Sequence, residues 1–128
     1  RRKRILDLGS GRGGLAVALR RDGFAVVALD LRRGNCRQAQ LRGLRHGVEM
    51  PVVRARGELL PFGSRTFGAV VCRDVLEHCD EPRRLLGEIW RVLRRGGGCY
   101  VTVMNRRCWI DPHYHLAGVS YLPRPWAE

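Results

Sequence analysis

Residues Ile5 to Gly14 read Ile-Leu-Asp-Leu-Gly-Ser-Gly-Arg-Gly-Gly, an apolar run with a carboxylate inside it that breaks into four glycines. Gly9-Ser10-Gly11-Arg12-Gly13-Gly14 satisfies the spacing G-x-G-x-x-G, which lets a backbone approach a nucleotide-like ligand closely. Asp30 lies 21 residues beyond Gly9, near the distance at which a carboxylate accepts hydrogen bonds from ribose hydroxyls. Asp7 narrows the ligand further. An anion two residues ahead of the first glycine repels a pyrophosphate and favours a ligand with a positively charged end.

His78 has a side chain whose pKa range suits proton transfer. Asp111-Pro112-His113-Tyr114-His115 brings two imidazoles into one segment. That segment lacks a third ligand at convincing spacing, so no metal site is expected. The five cysteines, Cys36, Cys72, Cys79, Cys99 and Cys108, form no C-x-x-C pair. Cys72 and Cys99 fall in apolar runs, where a thiol packs as a small hydrophobe. Neither a zinc site nor a disulfide framework is expected, and a reducing cytoplasm is the expected compartment.

The elements that must position these groups alternate between strand and helix. Ile5–Leu8, Ala25–Leu29, Pro51–Arg54, Phe67–Cys72 and Cys99–Met104 read as strands. Helices are expected over Leu15–Arg21, over Asn35–Arg45 with Gln38, Leu41 and Leu44 at helical spacing, and after Asp80. Asp80 is expected to cap that last helix. Pro82 lies in its first turn, Leu85, Leu86, Ile89, Val92 and Leu93 lie on one side, and Gly96-Gly97-Gly98 ends it. Continuous apolar strands spaced by helices predict an α/β fold, a doubly wound and mostly parallel sheet covered on both faces. In such a sheet a ligand sits beyond the carboxyl ends of the strands. Those ends carry Asp7 to Gly14, Asp30, Glu58, Cys72 to Asp74 and Asn105, so distant residues are expected to meet on one rim.

Composition bounds the partners. The chain has 128 residues, 45% of them apolar, enough for one domain with a real core. No apolar run approaches the roughly 18 residues that span a bilayer. Net charge is +12, yet 23 of the 24 basic residues are arginines, spread along the chain in pairs at helix ends and turns. That even spread fits solvated faces rather than a nucleic-acid groove.

Five stations in order carry a family resemblance: Leu6-Asp7-Leu8-Gly9-Ser10-Gly11-Arg12-Gly13, Ala28-Leu29-Asp30, Leu60-Pro61-Phe62, Val75-Leu76-Glu77-His78, and Glu88 through Leu93-Arg94-Arg95-Gly96-Gly97-Gly98. With these the chain resembles the class I S-adenosylmethionine-dependent methyltransferases, closest to the small-molecule type with a Leu-Pro-Phe loop. The resemblance implies a cofactor-binding Rossmann-like core over residues 1–105, strands one to five of a seven-strand sheet. Residues 106–128 would begin the substrate side, with the remaining hairpin beyond the chain's end. It implies that Asp7, Gly9, Ser10, Gly11 and Gly14 surround the methionine part of S-adenosylmethionine, and that Asp30 holds the ribose. Leu31 would pack on the adenine, Glu58 and Leu59 would line its edge, and Cys72 and Arg73 would lie under the sulfonium. His78 is the candidate general base, with a purely structural role in the turn as its competitor. Three positions depart from the family pattern: Arg56 stands where a carboxylate is usual, Gly68 follows Phe67, and Arg95 precedes Gly96. The implied activity is methyl transfer to a small-molecule, lipid-linked or glycan acceptor. The alternatives are an NAD(P)-dependent oxidoreductase and a non-catalytic binding module.

Overall fold

The computed structural model describes residues 3–103. Five strands form a single sheet in the order β3-β2-β1-β4-β5, all neighbours parallel. They are β1 (Arg4–Leu8), β2 (Ala25–Asp30), β3 (Val52–Arg54), β4 (Phe67–Arg73) and β5 (Leu93–Thr102). The helices are α1 (Gly14–Arg21), α2 (Arg33–Arg45) and α3 (Pro82–Val92), with one 3-10 turn at Leu76–His78. The chain winds outward from β1 to β3 and then returns to place β4 on β1's other side. The topological switch point therefore lies between β1 and β4, where open α/β sheets bind ligands.

Alternation along β1 divides the core. Leu6 and Leu8 point to the α3 side, joining Leu29, Phe67, Val70 and α3's Leu85, Ile89 and Val92. Ile5 points to the α1 side with Ala16, Val26 and Ala28. Burying one such aliphatic side chain contributes about 1.5–3 kcal/mol. Asp7 follows Ile5 on that second face, paired in register with Ala28 and Val71, and is only 2% exposed.

Several expectations are corrected. The buried face of α2 is Cys36, Ala39 and Gly43, while Leu41 and Leu44 face outward. Small residues are needed there because α2 packs closely: a Cβ at Gly13 would lie 2.8 Å from that of Ala39. Asp80 does not cap α3; Glu81 holds the cap position without a side-chain hydrogen bond, and Asp80 instead accepts from Arg56. Leu86 is exposed rather than on the buried stripe. The glycines 96–98 do not end α3, because β5 already begins at Leu93. They lie in a bulge where register jumps from Phe67↔Leu93 to Ala69↔Gly98. A Cβ at Gly97 would crowd the Gly68 carbonyl oxygen, 3.1 Å away, whereas one at Gly68 would meet nothing nearer than 3.7 Å, so packing does not account for the Gly68 departure. Cys72 is buried as expected, whereas Cys99 is exposed.

Candidate functional site

A cavity of about 430 Å³ opens at the carboxyl ends of β1, β2 and β4, at the switch point. Its wall includes Leu8, Gly9 and Gly11 after β1, Asp30 to Arg32 and Asn35 after β2, and Ala55 to Glu58 after β3. Arg73 to Val75 and His78 to Asp80 close the far side. Groups far apart in sequence thus converge on one rim, as the strand pattern predicted.

Backbone bonds fix the floor. Gly9 and Ser10 both donate from N–H to the Leu29 carbonyl, at 2.8 and 2.9 Å, tying the loop to the end of β2. Gly9 has φ 73° and a Cβ there would overlap Val75, so conformation and packing both demand glycine. Asp30 is the strut of this floor. Its carboxylate accepts from Gly11 N (2.9 Å), Arg32 N (2.8 Å) and Asn35 Nδ2 (3.1 Å). A carboxylate has about four acceptor sites, so roughly one remains to face the cavity.

Asp7 is placed differently. It lies behind the wall, and its Oδ2 has no hydrogen-bond partner among the described residues; nor has the buried Ser10 Oγ. Burial pushes the Asp7 carboxyl from 3.8 up to about 6, with the Arg73 charge opposing this, Asp30 adding to it and the Ala16 N–H opposing it. Cys72 is wholly buried beneath the rim, and burial raises its thiol to about 12, so it is an inert packing group.

On the far rim Arg56 Nη2 donates to Asp80 Oδ2 at 3.0 Å, and its Nε lies 3.7 Å from Glu58 Oε2. Away from the cavity, the Leu60-Pro61-Phe62 loop is clamped to α3. Glu88 accepts from Leu60 N (2.7 Å) and from Arg91, while Arg91 also donates to the Phe62 and Leu60 carbonyls (2.7 and 3.2 Å).

A family model described as a methyltransferase domain matches residues 6–101. The chain belongs to the class I S-adenosylmethionine-dependent methyltransferases. That match decides against the NAD(P)-dependent reading. A ubiquinone biosynthesis O-methyltransferase of Xylella fastidiosa is 35% identical over 104 residues, 80% of this chain and 42% of that relative. A putative methyltransferase of Bacillus halodurans superposes with TM-score 0.77 at 28% identity, covering 81% of this chain and 46% of its own. The [4+2]-cyclase SpnF superposes with TM-score 0.80 at 26% identity, covering 84% and 40%. The chain spans half or less of the length of these relatives.

The residues of this methyltransferase chain fit S-adenosylmethionine on structural grounds. The buried, donor-short Asp7 suits an ammonium, and Asp30 in the wall suits a diol. Of the residues expected at the site, Gly9, Gly11, Asp30, Leu31, Glu58, Arg73 and His78 line the cavity. Asp7, Ser10 and Cys72 support it from behind. Gly14 opens α1 outside the wall. Leu59 is 67% exposed and outside it too, because a turn closed by Leu59 N to Arg56 O sends Leu60 inward and Leu59 out. Asn35 and Asp80 also line the cavity and carried no motif; Asn35's place in the first turn after Asp30 was the available signal. Among the described residues no His/Cys/Asp/Glu group could hold a metal and no helix is long and apolar enough to cross a membrane. Residues 111–115 lie outside the described residues.

Proposed function

We propose that the intact protein transfers a methyl group from S-adenosylmethionine to a hydroxyl of a small or lipid-linked acceptor, of the type named for the Xylella relative. One observation carries the cofactor placement: a cavity at the β1/β4 switch point with the glycine loop as floor, Asp30 in its wall and the unpaired Asp7 oxygen behind it. Bound S-adenosylmethionine supplies an already activated sulfonium methyl, so the protein's task is alignment and exclusion of water. Asp7 and the glycine-loop backbone hold the ammonium end, Asp30 the ribose, and Leu31 with Glu58 the base. Cys72 and Arg73 lie at the reacting end. His78 stands in the wall as the group that takes the acceptor's proton.

Titration with S-adenosylhomocysteine and with NAD tests the placement; tight binding of NAD alone would sink it. Methyl transfer to hydroxylated aromatic acceptors tests the reaction. His78→Gln is expected to lower kcat at least tenfold while leaving S-adenosylhomocysteine affinity within about twofold; an unchanged kcat assigns His78 to the turn. SpnF supports a second reading, since this architecture also serves a protein described as a cyclase. Cofactor binding with no methyl transfer to any acceptor would favour a non-transferring module. A cytoplasmic location is proposed with the function.

A further inference from the structure

We propose that Arg73 selects an acceptor that carries a carboxylate-type anion in addition to the hydroxyl it offers for methylation. This names the acceptor class for the reaction proposed above and rests on that reading. Three arginines line the cavity, Arg32, Arg56 and Arg73. Arg56 is held by Asp80 and faces Glu58, and Arg32 lies past β2 on the Asp30 side of the rim. Arg73 ends β4, is exposed, and makes no hydrogen bond or ion pair with any described residue. Strand alternation sets where it points. Cys72 packs with Leu8 and Val70 toward α3, so Arg73 lies on the opposite face, that of Val71 and its register partner Asp7. Burial is the main influence on the Asp7 carboxyl and the Arg73 charge is the next, opposing it, although no ion pair joins the two.

The carboxylate next to Arg73 in the chain is kept away from it. Asp74 has φ 53°, a left-handed conformation that a non-glycine residue holds only under constraint. The constraint is Thr102 on β5. Asp74 N donates to the Thr102 carbonyl at 3.1 Å, and Thr102 Oγ1 donates to Asp74 Oδ1 at 3.1 Å. Backbone strain thus accompanies an acid tied to β5, and the guanidinium beside it keeps its donors for a ligand. Its planar fork matches a carboxylate bidentately. His78 lines the same side of the cavity, so an acceptor whose hydroxyl faces His78 can present an anion to Arg73. Such an anion also offsets the repulsion between the guanidinium and the sulfonium at the reacting end. The cofactor's own carboxylate is the other anion able to take this place, and the test separates the two.

That test is calorimetric titration of the intact protein with S-adenosylhomocysteine. The saturated complex is then titrated with 2,3- and 3,4-dihydroxybenzoate and with their neutral amides. The wild-type complex is expected to bind at least one acid about tenfold or more tighter than its amide. Arg73→Gln removes the charge from an exposed position, so that ratio should fall to within about threefold. Its affinity for S-adenosylhomocysteine should stay within about twofold, with an unchanged melting curve. Thr102→Val releases Asp74 to pair with Arg73, and the ratio should fall at least about threefold. A wild-type complex with no preference for either acid, or a full ratio in Arg73→Gln, overturns the acceptor class. A loss of S-adenosylhomocysteine affinity of about tenfold in Arg73→Gln overturns it too, and makes the cofactor's carboxylate the partner of Arg73. A full ratio in Thr102→Val overturns the positioning role of the Asp74–Thr102 pair. Failure of the wild type to bind S-adenosylhomocysteine at all overturns instead the cofactor placement itself.

Discussion

Two acidic sites of this domain follow opposite rules. Both oxygens of Glu88 on α3 have donors: Leu60 N and two Arg91 nitrogens donate to it, and Arg91 spends two more of its five donors on the Leu60 and Phe62 carbonyls. The hydrogen bond from Arg91 holds the Glu88 carboxyl below the usual range against the effect of burial. Asp7 is buried more deeply than the half-buried Glu88, yet one of its oxygens has no partner among the described residues, and burial raises its pKa. A carboxylate supplied with donors fastens the fold; a buried one short of donors costs stability until a ligand supplies them. The first joins the Leu-Pro-Phe loop to the helix behind it, and the second waits behind the cavity floor.

Asp7→Asn tests this contrast with the largest expected effect. Below pH 3.8 both native and unfolded Asp7 are protonated. Between 3.8 and about 6 the native state keeps a proton that the unfolded state has lost, so stability falls as pH rises through this window. Above pH 6 the full cost is about 3 kcal/mol. The Asn variant should therefore gain stability over wild type as pH rises from 4 to 7, by up to about 3 kcal/mol. It should also bind S-adenosylhomocysteine at least tenfold more weakly. Denaturant melts across that pH range check it. A variant less stable than wild type at pH 7.5 would break the comparison.

Glu88→Ala should do the reverse, costing about 2–3 kcal/mol at pH 7 because it strands Leu60 N and Arg91. The sign with pH is opposite as well. A depressed native pKa gives stability that is present above the unfolded value and lost as pH falls through the native one. Cofactor affinity should change little, since Glu88 lies off the cavity wall. A stability loss below about 0.5 kcal/mol would show the clamp to be incidental.

Asp30 combines the two: like Glu88 it has three donors, here from the loop, the residue after β2 and α2, but it lines the cavity. Asp30→Ala should lower both the melting temperature and the affinity for S-adenosylhomocysteine, the latter by about 2 kcal/mol. Unchanged affinity would leave Asp30 a strut only.

These contrasts mark how far residue types alone reveal structure. The central strands were readable because Leu6, Leu8, Val26, Val27, Val70 and Val71 belong to runs apolar on both faces. The glycine loop with Asp7 and Asp30 was readable because its chemistry is local. The face of α2 was not, because Cys36, Ala39 and Gly43 are buried for being small, while the larger Leu41 and Leu44 lie outside. Arg56, the partner of Asp80, and the Leu60 N–H that Glu88 accepts come from loops 24 and 28 residues away, a distance at which spacing carries no signal. The count of donors around Asp7 and Asp30 is likewise a property of the packed rim.

The smallest effect separates two leucines that look alike in sequence, each flanking an acid of the site. Leu31 is 56% exposed but stands in the cavity wall; Leu59 is 67% exposed and stands outside it. A nucleobase resting on Leu31 would cover roughly half of its side chain, worth about 1 kcal/mol of apolar burial. Leu31→Ala should therefore weaken S-adenosylhomocysteine binding roughly fivefold, and Leu59→Ala should leave it within error. Neither change should move the melting temperature much, since both side chains already face solvent. Equal losses from the two variants would mean that the loop after β3 closes over the base and draws Leu59 in with it. The boundary between the cavity wall and the outer surface would then be set by ligand binding rather than by the turn at residues 56–59.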